Sequence, residues 1–157
     1  MQTVISAFPV LCYLVAIALG FLDVRQPVGS AELSPYLQWM LSLGLGLPSL
    51  WAALSHAAFS ERVAKSIGWA PSPFQKEIAG ANLGIGLGAV AASILGTPAA
   101  WAMTFMAAGF LWSAAAVPVS SMVRSGNFAI NNAGPIFWWD ILTPLTLFIL
   151  LLLLRGA

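Results

Sequence analysis

Apolar residues fall in five long runs separated by short polar breaks, over roughly 4–22, 36–59, 74–96, 99–118 and 136–154. Each run approaches the ~20 residues an α-helix needs to cross a hydrocarbon core about 30 Å thick. Lipid offers no partner to an exposed N–H or C=O, so each run must satisfy its backbone internally as a helix. A membrane barrel would alternate apolar and polar positions, and Leu145–Leu154 does not. The pattern therefore predicts an all-α fold. It is a single polytopic transmembrane helix bundle over residues 1–157, with about five transmembrane helices and one short interfacial helix. No basic residue precedes the first run, so that run is expected to be a membrane segment and not a cleaved signal.

The breaks carry their own signals. Ser60-Glu61-Arg62-Val63-Ala64-Lys65-Ser66-Ile67-Gly68 reads as the interfacial helix, with Val63, Ala64 and Ile67 on one face and Gly68 as its stop. Trp69 follows at a depth where aromatic belts form. Ser72-Pro73-Phe74-Gln75 has the form of a capping box opening the third long helix. Gly96-Thr97-Pro98 predicts a tight hairpin between the third and fourth. Pro48 and Pro144 each remove a backbone donor and should bend their helices. Pro144 frees the carbonyl of Asp140, which Thr143 is expected to help satisfy. Trp138 and Trp139 are assigned to an interfacial girdle, and the run 150–154 to the lipid.

Composition narrows the class. Of 157 residues, 60% are hydrophobic and 7% charged, against about 25% charged in soluble domains. The surface this chain presents is one for lipid. A formal net charge of +1 excludes the basic stripe that nucleic-acid binding requires. Cys12 is the only cysteine, so no disulfide forms within the chain, and it is expected to be a small buried apolar residue.

Five crossings put the termini on opposite sides. Arg62, Lys65, Lys76 and Arg124 then share one side, with Arg25 and Arg155 on the other. The positive-inside rule places the N-terminus in the cytoplasm and the C-terminus outside, in a membrane of the bacterial inner (cytoplasmic) type. No charge is expected near the bilayer midplane.

In the third run Gly80, Gly84, Gly88, Ala92 and Gly96 recur every fourth residue. Such a stripe of small residues permits close backbone approach between membrane helices. Polar residues are fewer and more informative. Glu77, Asn82, Asp140, Gln75 and Asn132 form a candidate polar site at the cytoplasmic mouth of the bundle. Glu77 and Asp140 also suit anchoring near helix N-termini. His56 is the only histidine, hence the only candidate axial ligand for a haem- or chlorophyll-type pigment. No metal site, phosphate loop or catalytic triad can be assembled from the chain, so no cofactor and no catalytic residue is indicated.

Two stretches together resemble a known family. One is Ile67-Gly68-Trp69 with Ser72-Pro73-Phe74-Gln75, Glu77 and Ala81-Asn82-Leu83. The other is Asn127-Phe128-Ala129 with Asn132-Ala133-Gly134-Pro135, Asp140 and Pro144. Over roughly residues 55–155 the chain resembles a family of small bacterial and archaeal integral membrane proteins known as a domain of unknown function. The resemblance implies that Gln75, Glu77, Asn82, Asn132 and Asp140 are pattern positions; it implies no activity. It also leads one to expect a Gly-His pair where this chain has Val117-Pro118. The tryptophan-rich sensory protein family, also five-helical, is set aside because its Trp/Pro-rich motifs find no match.

The expectation from sequence is a membrane protein without catalytic motifs, an accessory subunit packed in the bilayer against other membrane subunits. The alternative is a small carrier or channel for an ion or small molecule. A pigment-, quinone- or lipid-binding subunit comes third.

Overall fold

A computed structural model describes residues 2–153 of the chain, with side chains from residue 7 onward; Arg155, counted above in the charge balance, lies outside the described residues. The long helices are α1 (Gln2–Phe21), α2 (Pro35–Ala58), α4 (Phe74–Leu95), α5 (Thr97–Ser125) and α7 (Pro135–Leu153). The short helices α3 (Ser60–Ile67) and α6 (Ile130–Ala133) lie together at one end. Among the described residues there is no strand. Four spans, Pro35–Ala58, Phe74–Leu95, Thr97–Ser125 and Ile130–Leu153, are long and apolar enough to cross a membrane; the apolar stretch Ala7–Phe21 is shorter. The molecule is an all-α bundle of membrane-spanning type.

Helix ends follow the turn chemistry. Gly68 closes α3 at φ 84°, with Trp69 N–H reaching back to Ala64 O (2.9 Å) and Gly68 N–H to Lys65 O (3.2 Å), the paired bonds of a Schellman cap. Asp23 takes the same left-handed position after α1, at φ 55°. Gly96, at φ 94°, joins α4 to α5 as the hairpin signal predicts. There the Glu32 carboxylate accepts the first free amide of α5, Thr97 N–H, at 3.1 Å. The capping box forms only in part. Ser72 Oγ accepts from Phe74 N–H (3.3 Å), but the Gln75 side chain turns inward to His56 instead of back to Ser72.

Two boundaries depart from expectation. α5 does not stop at residue 118; it continues through Pro118 to Ser125, and Gly126 in the left-handed region ends it. A proline removes one hydrogen bond and bends a helix, and neighbours that bury it keep the helix going; Pro118 is buried. In α2 the residues Met40–Gly46 adopt π-helical winding just before Pro48, the local adjustment by which a membrane helix accommodates a proline.

The core is centred on α2, which packs against α1, α4 and α7. Met40, Leu41, Leu45, Ile85, Ala89, Leu147 and Leu151 are almost completely enclosed. Leu151 thus corrects the expectation that the whole 150–154 run faces lipid. One helical face in each turn points inward, and within that run only Leu152 and Leu153 of the described part are exposed. Cys12 is buried as expected.

Close approach of helices depends on Gly46 and Gly86. A Cβ on Gly86 would sit 2.7 Å from Leu50 Cδ2 and 3.0 Å from the Leu50 backbone nitrogen. A Cβ on Gly46 would lie 3.1 Å from Leu41 O and 3.3 Å from Gly86 O. Of the small-residue stripe, Gly88 faces Met103, Ala92 is buried and Gly96 forms the hairpin. Gly80 and Gly84 instead point outward, and a Cβ at either would meet nothing within 4 Å.

The end opposite α3 is closed by side-chain amides. Gln38, 1% exposed, donates to Ser30 O (2.8 Å) and Leu33 O (3.1 Å), and its Oε1 accepts from Gln26 N–H (3.0 Å). Ser30 N–H in turn reaches Ser93 O (2.9 Å), clamping the 23–34 loop onto the α4–α5 hairpin.

Gly86→Ala should lower stability by about 1–3 kcal/mol through overpacking against the Leu50 backbone. Gly84→Ala should be neutral or stabilise by up to about 1 kcal/mol through helix propensity. Thermal denaturation in detergent checks this; equal losses for the two variants would contradict the packing described.

Candidate functional site

A cavity of about 200 Å³ opens at the α3 end of the bundle. Every long helix contributes: Pro9 of α1, Pro48, Trp51 and Ser55 of α2, Ile78 of α4, Phe110, Leu111 and Ala114 of α5, and Ile136 of α7. Val63, Ser66 and Ile67 of α3, with Trp69 beyond it, form the cover. α3 is amphipathic. Ala64 is fully buried and Val63 and Ile67 are half-buried, while Glu61, Arg62 and Lys65 are exposed.

The cover is stitched down by the two stretches that carried the family resemblance. Asn127 Nδ2 donates to Ile67 O (2.9 Å) and to Ser121 Oγ (3.1 Å), its Oδ1 accepts from Ala129 N–H (3.1 Å), and Asn132 Nδ2 donates to Asn127 O (2.8 Å). Residues 60 positions apart are joined in this way.

The wall is mainly apolar, and His56, Asn82 and Asp140 are the chief polar side chains that enter it. Asn82 is 4% exposed and donates Nδ2–H to Ile78 O (3.0 Å), one turn back on its own helix. His56 Nδ1 is hydrogen-bonded to Gln75 Oε1, and Gln75 is itself buried. Since Oε1 only accepts, Nδ1 carries the hydrogen. Asp140 is 8% exposed, and among the described residues no hydrogen bond or ion pair reaches its carboxyl group. Asn131 also lines the cavity, and its Oδ1 is buried without a partner.

Of the residues singled out from sequence, His56, Asn82 and Asp140 thus meet at one cavity and Gln75 stands behind His56. Asn132 is buried but serves the cover, not the cavity wall. Glu77 is exposed on the outer face with Gly80 and Gly84. Trp138 and Trp139 separate. Trp138 is exposed, whereas Trp139 is buried, lines the cavity and donates its indole N–H to Gly44 O (3.0 Å). Neighbours on a helix point about 100° apart, so a Trp pair cannot share one girdle orientation. Thr143 does not serve a freed carbonyl: its hydroxyl is buried without a partner. Asn131, Trp51 and Ser55 were not singled out from sequence. One signal for the place was present, since prolines of three helices (Pro9, Pro48 and Pro118) all line this cavity.

Among the described residues no group of three or more His, Cys, Asp or Glu is assembled that could hold a metal ion. The recess is concave and largely apolar and aromatic, with a few convergent polar groups.

The fold is that of a helical membrane protein, with a mainly apolar recess that His56, Asn82 and Asp140 enter. The chain belongs to a Family of unknown function (DUF6790), whose family model matches residues 4–157. No curated protein and no solved structure matches it.

Two substitutions should separate supporting from site residues. Gln75→Leu removes the acceptor of His56 and should cost about 1–3 kcal/mol. Asp140→Leu removes a buried polar group that has no partner and should leave the melting temperature unchanged or higher. Melting in detergent would show it; a large loss for Asp140→Leu would mean that the carboxyl group is structural.

Proposed function

We propose that this membrane protein binds a small, largely apolar molecule with a polar group in the cavity beneath α3. One observation carries the reading: His56, Asn82 and Asp140 converge on a single recess. Ionisable and amide groups are costly in a membrane segment and are retained where they bind or transfer something. Helix-end anchoring, the plainer use of such residues, would leave them at the rim in contact with water or headgroups. Asp140 and Asn82 are instead more than nine-tenths buried.

The size fits a modest ligand. About 200 Å³ is the volume of roughly seven water molecules, and a cavity of about 150 Å³ admits benzene. The excess of lysine and arginine at the α3 end supports an inner membrane orientation with the cavity opening toward the cytoplasm. The reading is of binding, and a carrier would use the same recess.

A second reading, as an accessory subunit of a larger membrane complex, is favoured by Gly80 and Gly84. Their open outer face on α4 suits close approach of another membrane helix.

Both readings are tested by extraction in mild detergent and native mass measurement. The wild-type chain should retain a small molecule that Ala114→Trp, which fills the cavity, excludes without a fall in melting temperature. Equal retention by the two proteins would refute the pocket reading. Unlike membrane subunits lost on Gly84→Leu would support the second.

A further inference from the structure

The cavity presents hydrogen-bond acceptors beside one acid, together with the Ser55 hydroxyl and the indoles of Trp51 and Trp69 as donors. Asn82 has spent a donor on Ile78 O, so its remaining capacity includes an accepting Oδ1. His56 donates through Nδ1 to Gln75, which leaves Nε2 of the neutral ring an acceptor. Asn131 Oδ1 is an acceptor without a partner. Asp140 brings a carboxyl group that nothing among the described residues pairs with. The N–H of Trp139 is already given to Gly44 O, and Ser66 Oγ donates to Val63 O. Pro118 withholds the N–H that the carbonyl of Ala114, also in the wall, would ordinarily accept. Among the described residues no lysine or arginine lines the cavity.

Acceptors gathered around an acid, with no lysine or arginine in the wall, leave a deficit of positive charge. The rest of the wall is aliphatic and aromatic, with Trp51, Trp69, Trp139 and Phe110 among it, and aromatic faces attract organic cations. A bare metal ion does not suit this lining. Hard cations take six or more oxygen ligands, and most of the wall is indole, phenyl and aliphatic carbon.

We infer that the ligand of this cavity is a small organic cation, a protonated amine attached to an apolar or aromatic body. The ammonium hydrogens meet Asp140, Asn82 Oδ1 and Asn131 Oδ1, while the body lies among the indoles. The inference rests on the pocket reading above, and it fixes the ligand's charge and donor character.

Three probes of one size separate the possibilities: benzylammonium, benzyl alcohol and benzoate. Their binding is measured calorimetrically to the purified full-length protein in detergent. Benzylammonium should bind, benzyl alcohol roughly tenfold or more weakly, and benzoate not at all. Asp140→Asn should abolish the preference for the amine over the alcohol.

The wild-type protein supplies a second measurement that does not depend on the variant's folding. Dicyclohexylcarbodiimide, an apolar reagent for buried carboxyl groups, should label Asp140. Benzylammonium should protect it, and benzyl alcohol should not, as read by peptide mass. If the alcohol binds or protects as well as the amine, or the preference survives Asp140→Asn, the cation inference falls and the pocket reading stands. If none of the probes binds and Ala114→Trp changes nothing, both fall.

Discussion

The hydrogen bond from the Trp139 indole to the Gly44 carbonyl joins the two halves of the molecule across 95 positions of sequence. It exists because Pro48 has no N–H to give the carbonyl four residues before it. In lipid such an orphan is costly, since no water is there to take it. The π-helical winding of Met40–Gly46 and the inward turn of Trp139 are two parts of one accommodation. With Trp139 held in this way, the next residue, Asp140, enters the cavity. The placement of the acid thus depends on a proline in another helix.

The two ends of the bundle handle polar groups in opposite ways. At the 23–34 loop Gln38, Gln26, Ser42 and Ser93 satisfy one another and nearby backbone carbonyls, and Glu32 caps α5. A network satisfied to this degree rigidifies. Beneath α3 Asn131 Oδ1 is buried without a partner, and no hydrogen bond or ion pair reaches the Asp140 carboxyl group among the described residues. A protein that closes one end and leaves groups unpaired at the other has localised its frustration, and such sites are where function is expected. The asymmetry also explains the separate cover. α3 is tied by Asn127 to the α5–α6 connection instead of being built into the span helices.

Much of the plan could be read along the chain. The five apolar runs, the Gly96-Thr97-Pro98 hairpin and the Gly68 stop follow from local rules of length and turn chemistry. Those rules need no knowledge of neighbours. Gln75, Asn82, His56 and Asp140 stood out because polar residues are rare in so apolar a sequence. Glu77 stood out for the same reason, yet lies on the outer face. Rarity identifies a residue as a candidate and does not orient it. The four-residue glycine period was visible, but the close approach of α2 and α4 uses Gly46 and Gly86. Gly86 lies off the period, two residues beyond Gly84.

Sequence by itself determined the class, the apolar runs and most helix ends, because lipid forces backbone satisfaction within each segment. It also determined that prolines would leave carbonyls without donors. Only the tertiary structure decided which distant side chain answered each one: the indole of Trp139 for Gly44, and no hydroxyl from Thr143. It alone decided that Pro118 would be buried within a continuous helix, and that three scattered polar residues would share one recess. Those outcomes depend on the rotation of each helix about its axis. That rotation is set by packing across the bundle, where glycine, proline and indole contacts between distant segments outweigh any local preference.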